Sequence, residues 1–377
     1  MRKLSTKIAA IAPSATIEIT EKARKMQAAG TDVISLSIGE PDFPTPPHIT
    51  RACIDALSRG ETHYAPGKGI PDLLAAVAEK IERENGFPCS PDEVIVGCGA
   101  KDSIYEACEA VLSPGDEAVI LDPSWVSYEP CVQIAGGVAV HHPLDPGTFQ
   151  IDDTLMEKVS EKTRMIIINS PSNPSGSVLD KDSFRIIADI CQDHDLIALS
   201  DEIYEKLVYG KKHYSLASFS GMAERTITIN GFSKAYAMTG WRLGYAVACR
   251  DIIGYLNRVQ QHTISHPATF AMFGGVAALR GPQQCVEEMR AEFLKRRNFI
   301  LRCLDEMSLP YAPADGAFYA YVRVNGDDVA VASRWLEEGH VAVTPGSAFH
   351  NPGWIRISYA ASLDRLEEAM KRIRAVL

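Results

Sequence analysis

The sequence predicts an α/β fold in which a mainly parallel β-sheet is covered by helices on both faces. In the middle of the 377-residue chain, short apolar segments alternate with segments of helical periodicity. Polar and glycine-containing segments follow directly after several of the apolar ones. After about residue 275 the alternation gives way to one long helical pattern and shorter strands, which predicts a second, smaller α+β domain.

The predicted strands of the sheet are short apolar runs bounded by polar residues. They are 93–97, 117–122, 164–169, 196–200, 226–230 and 245–249. Helical segments lie between several of them, for example 101–112 and 181–194. In the first of these, four apolar residues fall on one helical face: Ile104, Ala107, Cys108 and Val111. This order of strands and helices favours parallel strand pairing.

The predicted smaller domain contains two amphipathic helices and three short strands. The helices are 283–307 and 363–377, and the strands are 318–322, 341–344 and 355–360. Residues 34–47 are extended and proline-rich, which is typical of a domain junction. We therefore predict a large domain over 47–275, and a small domain made of 1–46, with an N-terminal arm, and 276–377.

Composition excludes several classes of protein. The net charge is −10 and the pI is about 5.5, so a nucleic-acid-binding surface is not expected. The nine cysteines include no CxxC pair, which predicts reduced thiols and a cytoplasmic protein. The N-terminal apolar run is broken by Pro13 and Glu18, and no run is long enough for a membrane span, so neither a signal peptide nor membrane insertion is expected.

Candidate functional residues cluster where predicted strands end, which is where open α/β sheets bind ligands. The segment GCGAKD (97–102) joins a strand to a helix. Gly97 and Gly99 allow a close backbone approach, and the helix N-terminus can hold an anion such as a phosphate. The alternative is a simple tight turn. A dinucleotide-binding GxGxxG motif is excluded, because Asp102 occupies the position of its last glycine.

Three further strand ends carry residues suited to a planar, charged ligand. Trp125 in DPSWVSY can stack on a ring or simply pack, and Asn173 in NSPSNPSG can bind a ligand or form a turn. Asp201 in SDEIYEKL can face a basic ring nitrogen, or it can cap a helix that begins there.

The segment INGFSKAYAMTGWRLG (229–244) adds a lysine and an arginine to this set. Arg242 and Ser233 can bind a phosphate, and Lys234 can form a Schiff base with an aldehyde. Solvated surface cations are the alternative. The conjunction of phosphate donors, a ring-stacking residue, a carboxylate and a lysine indicates pyridoxal 5′-phosphate as the cofactor.

The same segments resemble motifs of the class I and II aminotransferases, which are fold type I pyridoxal-phosphate enzymes. The motifs are SIGEPDFPTP, HYAPGKGIPDL, GAKD, WVSY, NSPSNPSG, SDEIYEKL, GFSKAYAMTGWRLGY, GAFY and RISYA, in that order. The resemblance extends from residues 14–19 to 355–360, and it is closest to bacterial and archaeal aspartate aminotransferases. It implies a seven-stranded, mainly parallel sheet in the large domain, with the cofactor bound there.

The resemblance also implies a role for each candidate at the cofactor ring. Lys234 is the Schiff-base lysine and proton shuttle, and Asp201 pairs with the ring nitrogen. Tyr204 and Asn173 contact the ring hydroxyl oxygen, and Trp125 stacks on the ring.

The phosphate and the substrate carboxylate have their own implied residues. The phosphate is held by Gly99, Ala100, Lys101, Ser233 and Arg242. Tyr64 reaches the phosphate of a partner subunit, which implies a homodimer with shared active sites. The substrate-binding residues are Gly39, Trp125, Asn173 and Arg356, of which Gly39 and Arg356 bind the α-carboxylate.

The resemblance is least specific about which substrate is preferred. The arginine that other aspartate aminotransferase branches take from the neighbouring subunit has no counterpart in 260–270, where histidines stand instead. Lys101 is therefore the candidate that recognises an acidic side chain. The predicted activity is ping-pong transfer between aspartate and 2-oxoglutarate.

Several alternatives remain open at this point. They are an aromatic amino acid, prephenate or alanine aminotransferase, and a carbon–sulfur lyase of the same fold. A sensor domain of a transcription regulator is not expected, because the charge is acidic and the motifs begin near residue 14.

Overall fold

The computed structural model of the protein describes residues 4–12 and 15–377. Its N-terminal part consists of α1 (Thr6–Ala9), α2 (Ala15–Ala28), β1 (Ile34–Ser35), α3 (Pro47–Ser58) and α4 (Pro71–Lys80), the last continued by a π-helical turn (Ile81–Asn85). Helices α3 and α4 both begin at a proline, whose fixed φ and missing N–H suit the first helical position.

The middle of the chain alternates strands and helices as predicted. In order these are β2 (Val94–Gly97), α5 (Ala100–Val111), β3 (Glu117–Asp122), α6 (Tyr128–Ile134), β4 (Val138–Pro143), β5 (Thr163–Asn169), α7 (Lys181–Asp193), β6 (Ile197–Asp201), β7 (Thr226–Gly231) and β8 (Gly244–Val247). Every strand predicted for this part of the chain is present, with ends that differ by at most two residues.

The C-terminal part contains longer helices and short strands. They are α8 (Arg250–Thr263), α9 (Thr269–Arg280), α10 (Gln284–Glu306), β9 (Tyr319–Arg323), α11 (Asp328–Glu337), β10 (Val341–Ala342), β11 (Thr344–Pro345), β12 (Trp354–Ser358) and α12 (Leu363–Ala375). The segment predicted as one strand over 341–344 is two, because β10 pairs with β1 whereas β11 pairs with β12.

The large sheet has seven strands in the order β2-β8-β7-β6-β5-β3-β4. Strand β8 runs antiparallel to β2 and β7, and the other neighbours are parallel. This confirms the predicted mainly parallel, seven-stranded sheet. The carboxyl ends of β3, β5, β6 and β7 therefore meet at one edge.

Helices cover both faces of the sheet, and strand β5 shows why the middle of its sequence, Met165 to Ile168, is continuously apolar. Met165 and Ile167 pack on the face that α5 covers, whereas Ile166 and Ile168 pack on the face that α7 covers. Because neighbouring residues of a strand point to opposite faces, a strand buried on both sides needs a continuous apolar run.

The edge strand β4 was not predicted from the sequence. Only one of its six residues, His142, is buried, so the strand lacks the longer apolar run that marks the central strands. The other edge strand, β2, is buried along its whole length and was predicted, so the exposure of β4 explains the difference.

The C-terminal strands form a small antiparallel sheet in the order β11-β12-β9, in which Arg356 lies opposite Tyr321. The N-terminal strand β1 pairs in parallel with β10, with Ile34 opposite Val341. This pairing supports the predicted small domain of 1–46 and 276–377, and the domain boundaries stay a prediction.

In the described part of the chain, no helix combines the length and the apolar character that crossing a membrane requires. The nine cysteines all lie in the described part and form no disulfide.

Candidate active site

A cavity of about 640 Å³ opens at the carboxyl ends of the central strands. Its walls come from the N-terminal segment, from the loops that follow the strands of the large sheet, and from β9 and β12. The predicted site residues that line it are Gly39, Ala100, Lys101, Trp125, Asn173, Asp201, Tyr204, Ser233, Lys234, Arg242 and Arg356. Residues far apart in the sequence therefore share one cavity, as the strand-end reasoning requires.

Lys234 follows β7 and projects its amine into the cavity. Its Nζ donates a hydrogen bond to the carbonyl oxygen of Gly39 at 2.6 Å. Burial lowers the pKa of Lys234 to about 8, although nearby Glu40 opposes the change. At neutral pH on the order of a tenth of the amine is then uncharged, and the uncharged amine is the nucleophilic form.

Asp201 ends β6 and is buried. Burial raises the pKa of its carboxyl to about 6, and two hydrogen bonds limit the rise. The hydroxyl of Tyr128 donates to Oδ2 at 2.7 Å, and the backbone N–H of Ile203 donates to Oδ1 at 3.2 Å. The chain turns after Asp201 without forming a helix, so the alternative that this residue caps a helix is wrong. The carboxylate is held at the base of the cavity by groups that favour its charged form.

Tyr204 and Tyr319 form a buried pair beside Lys234. Their hydroxyl oxygens are 2.7 Å apart, and the amine of Lys234 lies 5.8 Å from the ring centre of Tyr204. Gly39 closes against this pair, since a Cβ at that position would lie 2.3 Å from the hydroxyl oxygen of Tyr319. Any side chain at position 39 would displace the tyrosine, which explains why the sequence has glycine there.

Arg356 on β12 is buried beside this pair, with its guanidinium carbon 4.7 Å from the centre of the Tyr319 ring. Its Nη1 donates to Oδ1 of Asn173 at 2.8 Å, and its Nη2 donates to the carbonyl oxygen of Ser37 at 2.5 Å. Its Nε is buried and has no hydrogen-bond partner among the described residues. A buried guanidinium with neutral partners and a spare donor suits a carboxylate ligand, which Arg binds through a planar fork.

The first turn of α5 and Arg242 form a second cationic region. Gly99 is the N-cap with φ +86°, and no side chain caps the helix. A Cβ on Gly99 would lie 2.7 Å from Nη2 of Arg242, so glycine lets the guanidinium lie against the helix terminus. The buried Ser233 lines the same cavity. An uncapped helix N-terminus beside an arginine is a site for an anion.

Trp125 and Lys101 lie together on the cavity wall. The amine of Lys101 is 4.8 Å from the centre of the Trp125 ring, within the range of a cation–π contact. The Trp125 ring also meets the ring of Tyr128 edge to face at 5.4 Å.

Tyr64 is the one predicted site residue far from this arrangement. It does not line the cavity, and it is 91% exposed, with the centre of its ring 5.7 Å from that of the His266 ring. Its predicted contact with a partner subunit stays a prediction.

Several residues that line the cavity were given no role from the sequence, among them Arg24, Tyr128, Asn169 and Tyr319. The last three stand inside or at the start of quoted motifs, so the motifs could have identified them. Asn169 receives the backbone N–H of Asn173 on its Oδ1 at 2.7 Å. Arg24 lies on α2, and no local pattern distinguishes it from the other exposed charges of that helix.

Comparison with known proteins gives one family model, described as aminotransferase class I and II, which matches residues 31–373. Among similar proteins, an aspartate aminotransferase of Bacillus subtilis is 41% identical, over 99% of this chain and 98% of its own. An aromatic-amino-acid aminotransferase 2 of Thermococcus litoralis is 42% identical, over 99% and 98%.

Among solved structures, the aspartate aminotransferase from Thermus thermophilus with maleate is similar over the whole of both chains, covering 100% of each. Its TM-score is 0.97 at 39% sequence identity. This similarity confirms the predicted fold class.

Proposed function

The chain belongs to the class I and II aminotransferases, and from that premise we propose that it transfers amino groups between aspartate and 2-oxoglutarate with pyridoxal 5′-phosphate as cofactor. The family membership makes it an aminotransferase, and the family generally uses this cofactor. The identity of the cofactor, the residues that hold it and the preferred substrate are the proposal.

The residues of the cavity fit the cofactor group by group. Arg242, Ser233 and the uncapped N-terminus of α5 suit its phosphate, and Gly99 leaves the space that this requires. The buried Asp201 suits a protonated ring nitrogen, because a carboxylate favours a cation beside it. Lys234, with its lowered pKa, suits the aldehyde. When bound, pyridoxal phosphate supplies that aldehyde and a ring that withdraws electrons from the substrate.

The substrate contacts follow from what remains of the cavity. Arg356 binds the α-carboxylate, and its fork fixes the orientation of the amino acid together with Asn173. The uncharged Nζ of Lys234 accepts the proton that leaves the α-carbon. The carbonyl oxygen of Gly39, which accepts the hydrogen bond from this amine, keeps it in place.

The side chains of Asp201 and Tyr204 act on the cofactor ring and take no part in the transfer of the α-proton. The carboxylate of Asp201 holds a proton on the ring nitrogen, and Tyr128 keeps that carboxylate oriented. The hydroxyl of Tyr204, which hydrogen-bonds Tyr319, would donate to the ring hydroxyl oxygen. Trp125 would cover one face of the ring and exclude water from it.

The preference for an acidic substrate rests on one observation, the number of cationic groups in the cavity. Among the described residues the lining contains five cations, which are Arg24, Lys101, Lys234, Arg242 and Arg356. The cofactor and the α-carboxylate account for the last three. Lys101 and Arg24 remain for a second carboxylate, as aspartate and 2-oxoglutarate require. The similar Thermus enzyme with maleate, a dicarboxylate, supports this interpretation.

A panel of single half-reactions tests the proposal. Cofactor-loaded enzyme is mixed with aspartate, glutamate, alanine or phenylalanine, and the decay of its yellow absorbance is followed. We expect aspartate to give the highest rate constant per concentration, with glutamate next. A higher value for phenylalanine would instead favour the activity named for the similar Thermococcus protein. A transaminase half-reaction releases only one equivalent of keto acid per active site, so repeated turnover of cysteine to keto acid without an amino acceptor would indicate a carbon–sulfur lyase.

A further inference from the structure

Four side chains that do not line the cavity meet behind the loop that carries Trp125. Asp122 ends β3, His141 lies on the neighbouring strand β4, and Glu129 lies on α6. His350 follows the short 3₁₀ turn Gly346–Phe349 of the C-terminal part. We call these four the imidazole–carboxylate cluster.

The first imidazole of the cluster has one nitrogen bound and one free. Nδ1 of His141 lies 2.8 Å from Oδ2 of Asp122. A carboxylate only accepts hydrogen bonds, so the Nδ1 atom carries a proton and Nε2 of the neutral ring presents a lone pair. This Nε2 is buried and has no partner among the described residues.

The second imidazole and a carboxylate converge near that free nitrogen. Nε2 of His350 lies 3.1 Å from Oε2 of Glu129, and Nε2 of His141 lies 4.0 Å from the same oxygen. The two imidazole rings are stacked, with centroids 4.0 Å apart. Asp122 is buried, and its second oxygen, Oδ1, has no partner in the described part of the chain.

We propose that the imidazole–carboxylate cluster binds one divalent transition-metal ion of the Zn²⁺ type. His141 Nε2, His350 Nε2 and the Glu129 carboxylate are its three protein ligands, and water takes the fourth position. Asp122 orients His141. A metal-bound histidine usually donates its other N–H to a carboxylate, which is the arrangement of His141 and Asp122. The proposal does not depend on the proposed substrate or cofactor.

The distances allow this coordination after a small movement. Zinc lies about 2.0–2.1 Å from imidazole and carboxylate ligands, which places tetrahedral ligand atoms roughly 3.3 Å apart. The separations of 3.1 and 4.0 Å from Oε2 of Glu129 lie close to that value. His350 is 41% exposed at its side chain and can turn towards a shared ion. Two imidazoles select zinc-like ions, because Mg²⁺ and Ca²⁺ prefer oxygen ligands.

An ion at this position would join two segments that carry active-site residues. Asp122 is three positions before Trp125, and the backbone N–H of Ser124 donates to the carbonyl oxygen of Phe349 at 3.3 Å. The ring of Phe349, next to His350, lies 5.0 Å from the guanidinium carbon of Arg356. The ion would therefore be structural, and it would hold the Trp125 loop against the segment that supports Arg356.

The test measures zinc binding by the full-length, cofactor-loaded protein after treatment with a chelator. Zn²⁺ is titrated in competition with a chromophoric chelator, and Co²⁺ is titrated separately for its visible absorption bands. The test variant is His350→Asn, since asparagine tolerates the left-handed backbone at this position, where φ is +58°. His340→Asn is the matched control, with the same substitution at φ +54° outside the cluster.

We expect wild type and His340→Asn to bind one more zinc ion per chain than His350→Asn does. All three proteins have the same cysteines, so zinc bound to thiols does not affect this difference. Asp122→Asn should retain the ion with affinity lowered about 10–100-fold. Equal zinc stoichiometry and affinity in wild type and His350→Asn would overturn the proposal. Should His350→Asn fail to fold, Glu129→Gln replaces it, and unchanged zinc binding by that variant would overturn it equally.

Discussion

Removal of the Tyr128 hydroxyl tests whether the Asp201 carboxylate must be ionised for activity. Burial raises the pKa of Asp201 to about 6, and the hydrogen bond from Tyr128 at 2.7 Å counteracts this rise. In Tyr128→Phe the buried carboxylate loses this donor, so its pKa increases further. A protonated Asp201 no longer favours the ring cation, and activity on the acid side is lost at a higher pH than in wild type.

The size of the effect follows from the hydrogen bond. A hydrogen bond to a charged group contributes about 1.5–3 kcal/mol. Since one pH unit of pKa change corresponds to about 1.4 kcal/mol, the acid limb of the pH–rate profile should move up by about one to two pH units. The cation of the bound cofactor is present in both proteins. It lowers the pKa of Asp201 in each, so the difference between the two pKa values remains.

The assay is kcat/KM for aspartate from acid to alkaline pH in wild type and Tyr128→Phe. Tyr209→Phe is the matched control, because its buried hydroxyl donates at 2.7 Å to a neutral acceptor, the carbonyl oxygen of Ala317. That variant should lose stability and keep the wild-type pH profile. If the acid limb of Tyr128→Phe coincides with that of wild type, the ionisation of Asp201 does not control the rate and the reasoning is refuted.

Further variants test the other assigned roles. Lys234→Ala should still bind the cofactor but lose the absorbance that borohydride reduces, and its turnover should fall by roughly 10²–10⁴-fold or more; turnover near the wild-type value would exclude Lys234 as the proton carrier. Lys101→Ser should lower kcat/KM for aspartate about tenfold and leave alanine nearly unchanged, whereas Arg356→Ala should lower both by roughly 10²-fold or more. Equal losses for both substrates in Lys101→Ser would assign that lysine to the cofactor alone. Burial raises the pKa of Glu205, but Lys80 and His213 outweigh it and lower the value to about 2. The stabilisation by this ionised carboxylate is therefore present above its ordinary pKa of 4.5 and lost as pH falls towards 2. Lys80→Met should lower the free energy of unfolding at pH 7 by about 3–5 kcal/mol in urea titrations. A change under about 1 kcal/mol, which is the value of an exposed ion pair, would contradict this.

The sequence was sufficient for the fold class because the central strands are buried on both faces. The predicted strand 164–169 contains the continuous apolar run 165–168, and the structure places β5 there, at Thr163–Asn169. The edge strand β4 has no such run, since only His142 of its residues is buried. The hydrophobic pattern reports burial, so it identifies a buried strand, including the edge strand β2, more readily than a largely exposed one such as β4.

The chemical residue types at strand ends were also visible in the sequence. Asp201 ends β6 and Lys234 lies three residues after the end of β7, and a parallel sheet must bring such positions to one edge. This is why a lysine in a glycine-containing segment could be assigned to a cofactor site before any contact was known. Arg24 could not be assigned in this way, because α2 is far from the strand ends in sequence and meets the cavity only in the folded chain. Its local sequence carries no pattern that indicates this contact.

The amino-acid sequence by itself determined the order of strands and helices, the family motifs and the chemical groups available at each strand end. Only the tertiary structure decided which of those groups meet and in what state they are held. Tyr128 hydrogen-bonds Asp201 across 73 positions of sequence, and Arg356 hydrogen-bonds Asn173 across 183. The pKa values of Asp201 and Lys234 depend on removal from water and on neighbouring charges, which are properties of the folded packing and not of either residue's local sequence.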